Sequence, residues 1–194
     1  VEKPTIVTLK KGDVLREQGD YIVLSGYLIC RLSRQLINFM STGDFIATDN
    51  SIFRYEARSQ VQLMLIQNDG IGSVQGRREL VLQERMLAVV RRMDGFLESL
   101  ERRLIILLHQ AGEEIGTVTK DNTCEIPSIL THQEIAQYLG CTREYLCGMR
   151  KKMMAVGKIL DSKGWILAEW DGWQEEVNPV YNMGETRMAN SSKY

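Results

Sequence analysis

Residues 131–159, THQEIAQYLGCTREYLCGMRKKMMAVGKI, constrain this chain more than any other stretch. They read as two short helices joined by a Gly-Cys-Thr turn. In the first, HQEIAQYL, the residues Ile135, Ala136 and Leu139 share an apolar face, and Gly140 supplies the positive-φ residue that ends it. Thr142 caps a second helix whose buried positions are Leu146, Met149 and Met153, spaced i, i+3, i+7. The opposite face is expected to show Arg143, Glu144, Cys147, Arg150 and Lys151 to solvent. This is the pattern of a helix-turn-helix, whose second helix lies in the DNA major groove with its N-terminal residues at base edges.

The rest of the chain sets limits on that reading. A length of 194 residues fits one domain or two small ones, and 44% apolar residues suffice for folded cores. No apolar run reaches the roughly 18 residues of a membrane span, so no membrane partner is expected. The opening VEKPTIVTLKKGD is mixed and charged rather than a secretion signal. Cys30, Cys124, Cys141 and Cys147 have neither CxxC nor Cys/His spacing, which argues against zinc or a disulfide framework and for a reducing, cytoplasmic setting. No cofactor is expected. Walker-type loop, nucleophile elbow and HExxH are all missing, so nothing in the sequence supports an enzyme. The net charge of −1 hides a local bias: Arg143, Arg150, Lys151 and Lys152 stand against Glu144 alone between Thr142 and Lys152. A basic helix on an acidic remainder suits a sequence reader better than a nonspecific polycation.

The first 70 or so residues read as short strands: TIVTLK, YIVL, YLICRL, LINFM and VQLMLI, separated by turn signals such as KKGD, QGD, SG, STGD and QNDG. Such spacing predicts a small antiparallel barrel or jelly roll. From about Val74 to Ala111 the texture becomes helical. Met86, Val90, Met93, Leu97, Leu100, Leu104, Leu107 and Ala111 alternate spacings of four and three, as in a heptad seam. Asp94-Gly95 interrupts it, and Gly inside a helix costs about 1 kcal/mol relative to Ala. The run is therefore divided into a dimerising helix (about 76–94) and a second helix (about 96–111), the alternative being one long helix docked on the barrel. A short apolar strand follows around Cys124–Leu130. Beyond the helix-turn-helix, KILDSKGWILAEW (158–170) reads as a β-hairpin wing.

In this order of elements, THQEIAQYLGCTREYL resembles the recognition motif of the CRP/FNR superfamily of bacterial transcription regulators, with T-x-Q-E-I-x-Q and G-C-T-R-E in place. KKGDVLREQGD and STGDFI are similar to two barrel turns of the same family. The fold so implied is α+β: an N-terminal antiparallel β-barrel or jelly roll, a long dimerisation helix and a C-terminal winged helix-turn-helix domain. Its divisions are an effector-type barrel (1–75), the dimerisation helix and hinge (76–95), the DNA-binding domain (96–173) and a polar tail (174–194). Two departures stand out. The family's cyclic-nucleotide cassette is shortened to ATDNSIFRYEARSQ, without its Gly-Glu, and Arg58-Ser59 fall in the strand leading out of it. The family's third recognition-helix position, an Arg reading guanine, is here Gly148.

The resemblance implies a homodimeric DNA-binding regulator on a palindromic site, with RNA polymerase a further candidate partner, while the shortened cassette argues against control by cyclic nucleotide. Arg143 and Glu144 are the expected base readers, toward guanine O6/N7 and cytosine N4. Thr131, His132, Gln133, Thr142, Tyr145, Lys151, Lys152 and Lys163 are candidate phosphate contacts; a solvated surface is the plain alternative for His132, Lys151 and Lys152. Met86, Val90, Met93 and Leu97 are the expected dimer contacts. Two rivals remain open: a regulator answering an unidentified small effector in or beside the barrel, and a protein-interaction module whose DNA binding has weakened. For Cys141 and Cys147, structural roles outweigh a redox switch.

Overall fold

The structure, a computed structural model, describes residues 4–48, 52–67, 71–161 and 163–177, with the backbone alone for 71–74. Among the described residues seven strands come first: β1 (Ile6–Leu9), β2 (Gly19–Ser25), β3 (Leu28–Leu32), β4 (Gln35–Met40), β5 (Phe45–Thr48), β6 (Phe53–Ala57) and β7 (Val61–Leu65). They form two sheets, ordered β1-β7-β2-β5 and β4-β3-β6, with every pairing antiparallel. The inner faces enclose one core, which includes Tyr21, Val23, Leu28, Ile46, Tyr55 and Leu63. The five strands expected from the sequence are present. Strand β5 runs from the STGDFI turn into the segment read as a shortened cassette, and β6 lies within that segment.

Two of the recurrent Gly-Asp turns share one mechanism. Gly12 and Gly43 take φ of +92° and +95°, where a side chain would be strained. The following Asp13 and Asp44 carboxylates accept from the amides of Lys10 and Ser41, at 2.8 and 2.7 Å, and close each turn. Gly19-Asp20 is different: Asp20 is buried and receives the guanidinium of Arg78 at 2.7 Å.

Helix α1 (Ile71–Gly95) and helix α2 (Leu100–Ile115) are separate, as Asp94-Gly95 suggested. Leu97, expected in the seam, lies instead in the connecting turn and is 91% exposed. Ser99 caps α2. The seam divides with the helices. Leu104, Leu107 and Ala111 are buried in a second core, while Met86, Val90 and Met93 on α1 are exposed. Helix α1 meets the barrel through the partly buried Ala88 and Val89 and through arginines. Arg78 pairs with Asp20, and the buried Arg85 donates to the Ala47 carbonyl with its guanidinium over Tyr55 and Phe53.

The second core joins barrel to C-terminal half. Ile29, Leu36 and Phe39, on the outer face of the three-stranded sheet, pack with α2 residues in one cluster. Beyond α2 come β8 (Thr117–Val118), β9 (Cys124–Ile126), α3 (His132–Leu139), α4 (Arg143–Ala155), β10 (Trp165–Leu167) and α5 (Trp170–Val177). Strands β8, β9 and β10 form a sheet in the order β10-β9-β8. The expected wing hairpin is present. Leu160 N–H donates to the Ile166 carbonyl and Ala168 N–H to that of Lys158, each at about 3 Å, although Trp170 belongs to α5 rather than to the hairpin. Helix α5 corrects the boundary at 174, since it carries the fold through Val177 into the segment read as a polar tail. Its Trp170, Trp173 and Val177 are buried, with Trp170 stacked on His109 of α2 at 5.2 Å between ring centres. The polar sequence WDGWQEEV concealed this because three apolar residues at i, i+3, i+7 are enough to dock two turns. The remaining tail, 178–194, lies outside the described residues.

Candidate nucleic-acid interface

Both helices of the motif begin at threonine caps. The Thr131 hydroxyl accepts from Glu134 N–H at 3.2 Å, and the Glu134 carboxylate accepts from Thr131 N–H at 2.8 Å, a reciprocal capping box. Gly140 ends α3 in the left-handed region at φ +75°. Thr142 then starts α4 by accepting from Tyr145 N–H at 3.2 Å. Leu146, Met149 and Met153 are buried against the second core, as their spacing predicted.

The outward face of α4 carries Arg143, Glu144, Tyr145, Gly148, Lys151 and Lys152, all exposed, with Cys147 half-buried. Arg143 and Glu144 occupy the first turn, where a recognition helix meets base edges. A Cβ at Gly148 would meet nothing within 4 Å, so no packing demand keeps glycine there. Thr131, Gln133 and Thr142 are exposed at the starts of α3 and α4, and Lys163 is exposed in the wing turn. That turn is closed by Asp161, which accepts from Lys163 and Gly164 N–H at 3.0 and 2.8 Å.

Arg150 is the correction on this face. It was expected in solvent but is only 6% exposed. Lying four residues after Leu146 and three before Met153, it falls on the buried stripe of α4 rather than on its outer face. Its guanidinium donates to the carbonyls of Asp161 (2.8 Å) and Gly164 (2.5 Å) and sits 4.8 Å over the Trp165 ring. It thereby ties the recognition helix to the wing. Its third partner is His132 Nε2 at 3.2 Å. Since arginine has no acceptor, Nε2 accepts and the neutral ring carries its proton on Nδ1. Burial, then Arg150, then Arg143 hold His132 below its ordinary pKa. His132 is thus half-buried between Arg150 and Trp165 rather than plain surface.

Arginines from outside the motif grip α3. Arg58, at the turn after β6 rather than within a strand as read from the sequence, donates to both Glu134 carboxylate oxygens at 2.7 Å. Arg92 of α1 donates to the Tyr138 carbonyl, and Arg103 of α2 to that of Leu139 at 3.1 Å. These two cap the negative end of α3. The sequence offered no periodic signal for such contacts, which join residues 36 to 76 positions apart.

A model described as bacterial regulatory proteins of the crp family matches residues 129–145, spanning the start of the motif to the first turn of α4. About nine-tenths of the chain is similar in fold to several solved structures. A CRP/FNR-family transcriptional regulator from Thermus thermophilus aligns over 90% of this chain and 98% of its own, with 19% identity and a TM-score of 0.68. A CooA mutant from Carboxydothermus hydrogenoformans aligns over 89% and 87%, with 16% identity and a TM-score of 0.65. FixK2 from Bradyrhizobium japonicum covers 90% and 97%, with 15% identity and a TM-score of 0.61. No curated protein sequence matches the chain. The helix-turn-helix is thus similar to the crp family's motif, and the fold to that of a solved CRP/FNR-family transcriptional regulator.

Proposed function

We propose that the chain acts as a homodimer that reads a palindromic DNA site, without control by cyclic nucleotide. The observation that carries this reading is the pairing of an exposed, basic recognition helix with an exposed apolar stripe on α1. Leu80, Met86, Val90 and Met93 are each at least half exposed, whereas the barrel-facing side of the same helix carries Arg78 and Arg85 beside the partly buried Ala88 and Val89. A helix alone on a surface would not leave a second apolar stripe in solvent. A second α1 covers the stripe, as in a two-stranded coil, and two recognition helices then fall about 34 Å apart, one DNA turn. Leu97, exposed just past α1, extends the contact.

Arg143 and Glu144 are assigned to base edges. Thr131, His132, Gln133, Thr142, Tyr145, Lys151, Lys152 and Lys163 are assigned to phosphates, and RNA polymerase is a further partner in this reading. Two observations support independence from cyclic nucleotide. The buried guanidinium of Arg85 occupies the barrel core beside Tyr55, and Arg58 is turned to Glu134 rather than toward a phosphate. One feature favours an effector of another kind: a polar cleft of about 310 Å³ between barrel and α2, lined by Tyr27, Ser41, Thr42, Glu114 and Thr117. Small-ligand sites begin at about this size.

The test is selection from genomic DNA fragments followed by footprinting, with Val90→Glu in parallel. Two-fold symmetric protection by the wild type, and a folded monomer with much weaker protection for the variant, are expected. A protein that selects no fragment, or a wild type that is monomeric by light scattering, refutes the reading.

A further inference from the structure

We propose that Arg58 is a positioning residue for DNA reading: through it the barrel fixes the tilt at which α3, and with it the recognition helix, is presented. The inference rests on the regulator reading above. Arg58 belongs to the barrel turn between β6 and β7, yet most of its bonding is to the DNA-binding half. Its side chain is 10% exposed. Nη2 meets both Glu134 oxygens at 2.7 Å, Nε donates to the Ile129 carbonyl at 2.9 Å, and Nη1 meets Glu56 at 2.7 Å. Its own backbone N–H is fixed to the Tyr27 carbonyl at 2.8 Å. One planar fork thus spans the end of β6 and the entry to α3, and planarity makes the contact directional.

What Arg58 grips is the group that organises the start of the motif. The Glu134 carboxylate also receives the amide and hydroxyl of Thr131, at 2.8 and 2.9 Å. One carboxylate therefore connects the barrel to the capping box beside two candidate phosphate contacts, Thr131 and His132. Burial alone would raise the Glu134 pKa, but its bonds from Thr131 and Arg58 outweigh that and hold it low, so the pair stays ionised. A parallel arm reinforces the tilt. Glu56 binds Arg31 at 3.0 Å, and the Arg31 guanidinium lies 5.8 Å over the ring of Tyr138, at the far end of α3. A half-buried ion pair adds little net stability over an apolar contact of the same size, but it does fix geometry. The apolar contact of α2 with Ile29, Leu36 and Phe39 already holds the two halves together. Helices α3 and α4 pack in that same core, and Arg92 and Arg103 hold the C-terminal end of α3, so the contact left to set its attitude is the one Arg58 makes at its N-terminal end.

The test compares wild type, Arg58→Lys and Arg58→Met. Residual dipolar couplings of the free proteins report the attitude of α3 and α4 relative to the barrel. Affinity for duplex fragments selected by the wild type, measured well below the melting temperature, reports function. In the wild type one alignment tensor fits barrel, α3 and α4. In Arg58→Met the α3 and α4 couplings leave that fit and affinity falls at least tenfold, with Arg58→Lys in between because it keeps the charge but not the fork. Unchanged couplings in Arg58→Met overturn the proposal whatever the DNA result. Shifted couplings with unchanged or increased affinity overturn its functional half. Failure of the wild type to select DNA refutes the regulator reading, and the couplings still decide whether Arg58 sets the tilt.

Discussion

Glu114 predicts an unusual pH dependence. The carboxylate, on α2, accepts from Phe39 N–H at 2.6 Å, while Gln110 one turn earlier donates to the Ile37 carbonyl at 2.7 Å. Strand β4 is an edge strand, so these two side chains stand in for the missing neighbour of its residues 37 and 39. Gln110 and Asn38 also donate to the carboxylate, at 3.1 and 3.3 Å. Burial nevertheless dominates and raises the Glu114 pKa from 4.5 to about 7, with Asp44 adding a smaller push. Asn38 Oδ1 is buried with no hydrogen-bond partner, and a flip of that amide, which now donates to the carboxylate through Nδ2, would offer it to the neutral acid.

A raised acid binds its proton more tightly in the folded chain than in the unfolded one. The associated stability is complete below about pH 4.5 and is lost as pH rises through about 7. At about 1.4 kcal/mol per unit, the ceiling is about 3 kcal/mol, or roughly 6–12 °C of melting temperature for a chain of this size. Glu114→Gln keeps an acceptor for Phe39 and a donor for Asn38 while removing the titration. Thermal melts from pH 5 to pH 8 should nearly coincide for the two proteins at pH 5. They should diverge toward pH 8, with the variant the more stable. The difference between the two curves is the observable, since Asp44, also raised by burial, contributes a slope to both. Parallel curves across that range would refute the argument.

Three further outcomes follow from packing and exposure. Arg143→Ala should leave stability within about 0.5 kcal/mol but remove discrimination at one base position per half-site, worth about 1–3 kcal/mol; uniform weakening across sequences would make it a phosphate contact instead. Gly112→Ala forces a methyl into the Trp170 ring and beside the Cys124 thiol. It should cost about 1–3 kcal/mol by overpacking, seen as a lower melting temperature, whereas no change would mean that α5 is not docked there. Arg150→Met keeps the stem but releases the Asp161 and Gly164 carbonyls, so hydrogen exchange across 161–164 should accelerate at least tenfold while the α4 interior stays protected.

The sequence by itself determined the elements whose signals are local. Thr131 and Thr142 cap helices because their hydroxyls reach amides three residues on, and Gly140 ends α3 because only glycine enters that backbone region without cost. Alternation and Gly-Asp turns revealed five of the barrel strands, and the break at Gly95 separated α1 from α2. The apolar stripe of Met86, Val90 and Met93 was legible in the same way. Tertiary structure alone decided the fate of the arginines. Periodicity assigns a charged residue to solvent by default, yet Arg150 lies buried under the wing, Arg85 in the barrel core and Arg58 between barrel and α3. Each is stabilised there by carbonyls, rings or a carboxylate brought in from distant parts of the chain. No local pattern encodes those partners, because burying a guanidinium depends on what the folded surroundings offer it.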